Sequence, residues 1–439
     1  MTNIDHTHRR AARSWVDSAN LPEADFPIQN LPFAVFRPAR TSEAYRGGVA
    51  IGTWVLDLGA LADTNLLQGQ SAEALRAAAR SSLNALFAMG APAWRRIRHD
   101  LFALLEDTAS ESVQAEVRKC LIPQDESEYK VAVDIGDYTD FYTSVDHARN
   151  IGRIYRPEAP LTPNFTSIPI AYHGRVSTIK ISGTPVRRPQ GQVLVDGEAR
   201  PRYLPTSRLD FEVELGVYVG TGNEWGEPIK IGSAEDHVFG IGLLNDWSAR
   251  DIQRWEALPL GPFLAKNFAT SVGPWIVTMD ALAPYRSPWG RPPSDPPPLA
   301  YLESPQVRAT GAIDINLSTC LHVADPISGT SRANRIAETS FRHQYWTVSH
   351  MLAHHTANGC DLRTGDLIGT GTISGPTPNE AGSLLELSYA GSRPLRLEHG
   401  AERTFLEDGD TVSITGWCER ENFARIGFGT VFGTVVPSA

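Results

Sequence analysis

The chain has 439 residues, of which 21% are charged and 41% hydrophobic, and its formal net charge is −10. This composition is typical of a folded globular protein and excludes a largely disordered chain. The negative charge and the absence of a basic run exclude a nucleic-acid partner, and no apolar stretch has the length of a membrane span. We therefore expect a cytoplasmic protein that binds neither nucleic acid nor membrane.

The N-terminal third changes its hydrophobic period once. Residues 1–25 are polar and predict a loosely held arm. Short apolar runs broken by Pro, Gly and Asn then predict antiparallel strands at 33–36, 48–51 and 54–58. From Ser71 the period becomes helical as far as Pro123. We interpret residues 26–130 as a small domain of strands and helices.

The remaining residues, 131–439, are rich in β-branched and aromatic runs punctuated by Gly and Pro, with one helical pattern at 345–358. The proline-rich piece 287–298 interrupts this pattern, which resumes unchanged after it. We therefore expect a second, large β domain with a surface excursion rather than a linker.

Within the large domain, residues 245–274 hold the densest group of reactive side chains. Asp246 directly follows an apolar run, which predicts a carboxylate at the end of a buried strand. The next residues have a helical pattern that places Arg250 and Arg254 four positions apart. Lys266 lies in a nearly uncharged run, so it is either a surface side chain with a buried stem or a buried, paired one.

Two acidic patterns precede that segment. Asp140, Tyr142 and His147 fall within eight residues, and a histidine near a carboxylate is a candidate general base, although a packed histidine is the alternative. Glu212 and Glu214 alternate with apolar residues, as on one face of a strand. If these glutamates met Asp140 and Asp246, the oxygens would suit Mg²⁺ or Ca²⁺; otherwise the strand faces solvent.

Other motifs narrow the chemistry. The glycines of 368–388 lack the lysine of a nucleotide-binding loop, which leaves Thr372 in a glycine-framed turn and Glu386 as a possible partner of a histidine. His350 and His354 are four apart but lack the metalloprotease glutamate, which favours a structural role. No nucleophile elbow is present, so a covalent serine hydrolase is disfavoured.

Taken together, the motifs resemble the fumarylacetoacetate hydrolase family. The segments that carry the resemblance are DFPIQNLPFAVF, IGDYTDFY, YHGR, SGTPVRRPQGQ, DFEVEL, NDWSARDIQ, LGPFLAK, NGCDLRTGDL, GTISG, RTFLEDGD and RIGFG. The resemblance implies a mainly β fold with some α: a small SH3-like β-barrel domain with helices, then a large mixed β-roll domain, assembled as a homodimer.

The resemblance also implies roles for individual residues. It implies metal ligands at Asp140, Glu212, Glu214 and Asp246, further groups of the metal region at Lys266 and Thr270, a general base at His147 paired with Glu386, substrate contacts at Tyr142, Arg156, Gln253 and Thr372, and oxyanion stabilisation by Arg250 and Lys266. One position departs from the family pattern: Ala257 stands where a tyrosine is common.

The activity implied is metal-dependent hydrolysis, with Ca²⁺ or Mg²⁺, of a carbon–carbon bond in a small diketo acid. The products would be fumarate and acetoacetate, as in the last step of tyrosine and phenylalanine catabolism. Two alternatives stay open: a related acylpyruvate hydrolase or oxaloacetate-type decarboxylase, and a non-catalytic, metal-stabilised binding protein.

Overall fold

The computed structural model describes residues 4–324 and 331–439. Its N-terminal part is a curled antiparallel sheet of five strands, and helices pack against it. The strands are β1 Phe33–Pro38, β2 Arg46–Ile51, β3 Trp54–Asp57, β4 Leu121–Pro123 and β5 Ser127–Lys130, in the order β4-β3-β2-β1-β5. The helices are α1 Leu58–Asp63, α2 Gly69–Ala78, α3 Asn84–Phe87, α4 Ala91–Leu105 and α5 Glu111–Arg118. The predicted antiparallel unit and the change to helical period are confirmed.

The larger part is built mainly from strands. They are β6 Tyr138–Phe141, β7 Ala171–His173, β8 Ile179–Ile181, β9 Val186–Arg187, β10 Gln190–Val193, β11 Arg202–Pro205, β12 Leu209–Asp210, β13 Val213–Val219, β14 Val238–Asp246, β15 Ser248–Ala249, β16 Thr270–Val272, β17 Val277–Thr278, β18 Arg286–Ser287, β19 Ala312–Ile313, β20 Asn316–Ala324, β21 Ser331–Ser340, β22 Leu367–Gly369, β23 Leu395–Arg396, β24 Glu402–Arg403, β25 Thr411–Cys418 and β26 Ile426–Val436. The helices are α6 Val145–Tyr155, α7 Arg250–Glu256, α8 Pro305–Thr310, α9 Val348–Thr356 and α10 Leu384–Leu387.

Two sheets organise this part. The first is mixed and runs β7-β6-β22-β13-β14-β16-β8, with β17 also paired to β14, and the second runs β21-β20-β25-β26-β9. The central strands β13 and β14 are buried along their whole length, so their apolar side chains pack on both faces of the sheet. The prediction of a β-rich fold with some helix is confirmed.

The predicted loose arm at residues 1–25 is wrong for its described part. Thr7 and His8 are buried, and His8 Nε2 lies 2.8 Å from the carbonyl oxygen of Asp280. The buried Arg98 guanidinium donates to Thr7 Oγ1 at 3.2 Å and to the carbonyl of Asn30 at 2.8 Å. Polar composition suggested exposure, whereas these polar groups bond inward. The domain limits at residues 25 and 130 stay predictions.

None of the helices in the described residues combines the length and the apolar character that crossing a bilayer requires. The predicted helix at 345–358 is α9, and the predicted helix after Asp246 is α7. The cis Leu258-Pro259 peptide follows α7 and begins an exposed turn that precedes Lys266 in the chain.

Candidate active site

Three buried carboxylates meet where the central strands of the mixed sheet lie side by side. Asp140 lies on β6, Glu214 near the start of β13 and Asp246 at the end of β14, and one oxygen of each lies within 4.8 Å of the others. β22 runs between β6 and β13 and presents Gly369 at this point. A Cβ on Gly369 would lie 2.8 Å from Asp140 Oδ1 and 3.1 Å from Glu214 Oε2, so glycine makes room for the cluster.

The three carboxylates of this cluster repel one another when all are ionised. Burial and the charge of Asp246 raise the pKa of Asp140 to about 8, and burial with the charge of Asp140 raises the pKa of Glu214 well above its usual value. Glu214 Oε1 is buried and, among the described residues, lacks a hydrogen-bond partner. Clustered hard oxygens with an unused lone pair fit a divalent cation, which removes the repulsion that otherwise favours protonation.

Glu212 is held differently from its neighbour Glu214. Lys266 Nζ lies 2.7 Å from Glu212 Oε2, and Arg250 Nη1 lies 2.7 Å from Glu212 Oε1. Burial alone would raise the pKa of Glu212, but the charges of Lys266 and Arg250 hold it below its usual range. The predicted strand alternation places Glu212 and Glu214 on one face, and both side chains are buried. The alternative prediction, that this face of the strand is exposed to solvent, is wrong.

Lys266 links Glu212 to the three-carboxylate cluster. Its Nζ also lies 2.6 Å from Asp246 Oδ2, and the buried, paired alternative for this lysine is confirmed. Burial alone would lower the pKa of Lys266, but Asp246 and Glu212 raise it, so the ammonium is charged. Thr270 Oγ1 donates to Asp246 Oδ1 at 3.1 Å, and Tyr172 Oη donates to Asp246 Oδ2 at 3.3 Å.

A histidine and a glutamate form a second polar centre. His147 lies in the first turn of α6, where Ser144 Oγ accepts from its backbone N–H at 3.1 Å. Its Nδ1 lies 2.7 Å from Glu386 Oε2. Asn150 Nδ2 donates to the other carboxylate oxygen of Glu386 at 2.9 Å, and Ser383 Oγ donates to Oε2 at 2.8 Å.

These contacts define the state of the pair. Burial alone would raise the pKa of Glu386, but the charge of His147 and the hydrogen bonds hold it below its usual value. An ionised Glu386 accepts a hydrogen bond from Nδ1 of His147, so Nε2 is the imidazole nitrogen that can exchange a proton with a water in the cavity. Glu386 lies on the short helix α10 and is buried. An acid in an apolar run is commonly an outward-facing strand residue, but Glu386 is not.

A cavity of about 690 Å³ connects the two centres. Of the predicted site residues, the cavity is lined by Asp140, Tyr142, His147, Arg156, Glu212, Arg250, Gln253, Lys266 and Thr372. A smaller cavity of about 170 Å³ borders Asp246, Lys266 and Thr270. Glu214 and Glu386 are not among the residues that line these two cavities. The fold therefore gathers residues that are separated by up to 246 positions in the chain, from Asp140 to Glu386.

Arg250 has one N–H group without a partner in the part of the chain that the structure describes. Its Nε donates to Asp210 Oδ2 at 2.8 Å, and its Nη1 donates to Gln253 Oε1 at 3.1 Å. Its Nη2 is buried and has no hydrogen-bond partner within residues 4–324 and 331–439. A buried guanidinium N–H without a protein acceptor is suited to an oxygen of a bound ligand.

Sequence reasoning assigned no role to two of these residues. Asp210 holds Arg250 and also accepts from the backbone N–H groups of Leu384 and Leu385 at 2.8 and 3.0 Å, so it joins α7 to α10. Tyr172 reaches Asp246 from β7. Both lie in motifs that carried the family resemblance, DFEVEL and YHGR, and that was the only signal for them.

Family comparisons agree with this architecture. Residues 138–436 match the profile described as fumarylacetoacetate (FAA) hydrolase C-terminal, and residues 29–132 match the profile described as fumarylacetoacetase N-terminal. The chain belongs to the fumarylacetoacetate hydrolase family. This confirms the resemblance through both parts of the chain.

Relatives and solved structures support the same assignment. The chain is 44% identical over 437 residues to fumarylacetoacetase of Oryza sativa subsp. japonica, covering 98% of each sequence. It is 45% identical over 423 residues to that of Homo sapiens, covering 95% of this chain and 97% of the relative. A solved fumarylacetoacetate hydrolase from Exiguobacterium antarcticum shares the fold at a TM-score of 0.51 and 16% identity, covering 93% of this chain and 99% of its own.

Proposed function

We propose that this protein hydrolyses the carbon–carbon bond of 4-fumarylacetoacetate to fumarate and acetoacetate, the last step of tyrosine and phenylalanine catabolism. The observation that carries the proposal is the cavity that joins a cluster of three buried carboxylates to a buried histidine–glutamate pair. Full-length relatives named fumarylacetoacetase support it.

The acidic cluster is the proposed metal site. We assign Asp140, Glu214 and Asp246 of this cluster as ligands of Ca²⁺ or Mg²⁺, because both ions prefer carboxylate oxygens. Glu212 is the fourth proposed ligand, although its two oxygens are paired with Arg250 and Lys266. A bound divalent ion would act as a Lewis acid toward the oxygens of a 1,3-diketone. An ammonium has no lone pair to offer, so Lys266 supplies positive charge beside the ion rather than a ligand.

Thr270 is the second residue of the predicted metal region that we do not place among the carboxylate ligands. Its hydroxyl donates to Asp246 Oδ1 and thereby orients that carboxylate. Such outer contacts hold a ligand in position and tune its affinity for the ion.

His147 is the proposed general base. With Nδ1 directed to Glu386, the free Nε2 removes a proton from water as the oxygen attacks the carbonyl carbon. The Nη2 group of Arg250, with Gln253 and Lys266, stabilises the negative charge that develops on oxygen. Breaking the carbon–carbon bond then leaves an enolate, which takes up a proton to give acetoacetate.

The other predicted substrate contacts are Tyr142, Arg156 and Thr372, all on the cavity wall. Thr372 follows Gly371, whose positive φ of 73° turns the chain into the cavity. Arg156 brings a cation suited to a carboxylate of the substrate. A homodimer in the cytoplasm is proposed on the same family grounds.

The alternatives fit less well. An acylpyruvate hydrolase or oxaloacetate-type decarboxylase would need only the acidic cluster, whereas residues 29–132 match the fumarylacetoacetase N-terminal family. A non-catalytic, metal-stabilised binding protein would not need a buried His147 paired with Glu386.

The deciding experiment incubates the purified protein, loaded with Mg²⁺ or Ca²⁺, with fumarylacetoacetate and follows both products by NMR. We expect fumarate and acetoacetate in equal amounts. A His147→Ala variant that keeps its fold by circular dichroism and its metal binding by calorimetry is expected to be inactive. Intact substrate in the presence of the metal-loaded wild-type protein would refute the proposal.

A further inference from the structure

Four cationic side chains line the main cavity, and they differ in how firmly the protein holds them. Arg250 and Lys266 are buried and each binds two carboxylates at distances of 2.6 to 2.8 Å. Arg156 and Arg254 also line the cavity, and both are exposed. The buried pair balances the charge of the acids, so the exposed pair is available to a ligand.

The contacts of the exposed pair are weak. Arg156 Nη2 donates to the carbonyl of Pro160 at 3.4 Å. Arg254 Nη1 lies 3.6 Å from Asp196 Oδ1, and the two side chains are 59% and 78% exposed. An ion pair of this length and exposure contributes little and is exchanged at little cost for a better acceptor.

The proposed substrate carries a carboxylate at each end, and two separate cations would match its two charges. Arg156 is the proposed partner of one carboxylate, and the other proposed substrate contacts on the cavity wall, Tyr142, Gln253 and Thr372, carry no charge. Arg254 lies on α7 together with Arg250 and Gln253, and all three border the cavity.

Of the α7 residues that line the cavity, Arg254 is the exposed cation, since Arg250 is buried and Gln253 is uncharged. Ala257 follows Arg254 by three positions, on the same side of the helix, and also lines the cavity. Its methyl group cannot hydrogen-bond, so recognition of an anion there depends on the arginine. The forked guanidinium suits a carboxylate because it presents two parallel N–H donors.

We propose that Arg254 binds one terminal carboxylate of the diketo acid, at the end opposite to the carboxylate bound by Arg156. This inference rests on the proposed function. It makes Arg254 a substrate-binding residue that sets the preference for a substrate charged at both ends.

The test compares steady-state kinetics of Arg254→Gln and Arg254→Lys with the wild type, using fumarylacetoacetate. We expect KM to rise about fivefold to tenfold in the Gln variant, with kcat changed less than about twofold, since the contact is the same in the bound and transition states. The Lys variant should be intermediate because it keeps the charge but not the fork. Arg153→Gln, on the exposed side of α6 and outside the cavity lining, is the matched control and should behave as wild type.

An unchanged KM in Arg254→Gln would overturn the inference. So would a Lys variant as impaired as the Gln variant, because wall shape rather than charge would then be responsible. These results are distinguishable from failure of the proposed function, in which the wild-type protein itself leaves the substrate intact.

Discussion

His147 Nδ1 and Glu386 Oε2 lie 2.7 Å apart although the two residues are separated by 239 positions in the chain. Both side chains are almost completely buried, at 4% and 2% exposure. The carboxylate therefore fixes both the orientation and the tautomer of the imidazole before substrate arrives.

Replacing Glu386 by Gln tests this relationship. We expect kcat to fall about 10²- to 10⁴-fold, because an amide neither stabilises the imidazolium nor selects the same tautomer. KM and metal affinity should change little. Asn150→Ala, which removes only one donor to Glu386, is the milder comparison. A Gln variant with wild-type kcat would contradict the role given to the pair.

The acidic cluster predicts a change that is visible without substrate. Burial and the neighbouring Asp140 raise the pKa of Glu214 well above its usual value, which favours its protonated form when no cation is bound. Glu214→Gln should leave stability in EDTA nearly unchanged and abolish the stabilisation by Ca²⁺ or Mg²⁺. That stabilisation should amount to about 2.7 kcal/mol at a metal concentration of about 100 Kd.

Thermal unfolding with and without metal measures the effect of Glu214→Gln. Glu116→Gln, at an exposed position on α5, is the control and should retain the full metal response. A Glu214→Gln variant that is stabilised by metal as much as the wild type would exclude this residue as a ligand.

Lys266 is predicted to stabilise the fold as well as the site. Lys266→Met removes the charge that bridges Glu212 and Asp246 and should cost about 3 kcal/mol or more in EDTA, because buried carboxylates lose their counter-charge. Adding Glu212→Gln should recover part of the loss. Urea unfolding measures both, with Lys119→Met on the surface as the control. Equal stability of Lys266→Met and wild type would show that the bridge is not stabilising.

His350 predicts a pH dependence of stability. It is fully buried between Trp289 and Trp346, and burial lowers its pKa from 6.5 to about 3. The folded state thus excludes a proton that the unfolded chain binds below pH 6.5, so His350 lowers stability by about 1.4 kcal/mol per pH unit as pH falls from 6.5 toward 3.

Urea unfolding between pH 7 and pH 4.5, in EDTA, measures this effect. His350→Asn should be less stable at pH 7, because it leaves gaps beside the tryptophans, but its stability should fall less steeply with acid. Parallel curves for the two proteins would contradict the prediction.

Local pattern by itself determined much of this protein. Alternation and apolar runs predicted the strands that carry Glu214 and Asp246, and the period of 3.6 predicted the helix that carries Arg250 and Arg254. These features follow from backbone geometry over a few residues, which is why a single sequence contains them. The family motifs named the candidate site residues, whose roles stay predictions.

Only the tertiary structure decided how those residues combine. It separated Glu212, paired with Lys266 and Arg250, from Glu214, which faces Asp140 and Asp246. It also packed the polar N-terminal segment inward and brought Glu386 to His147. Sequence spacing cannot supply such facts, because charge pairing and burial depend on which distant strands become neighbours in the folded sheet.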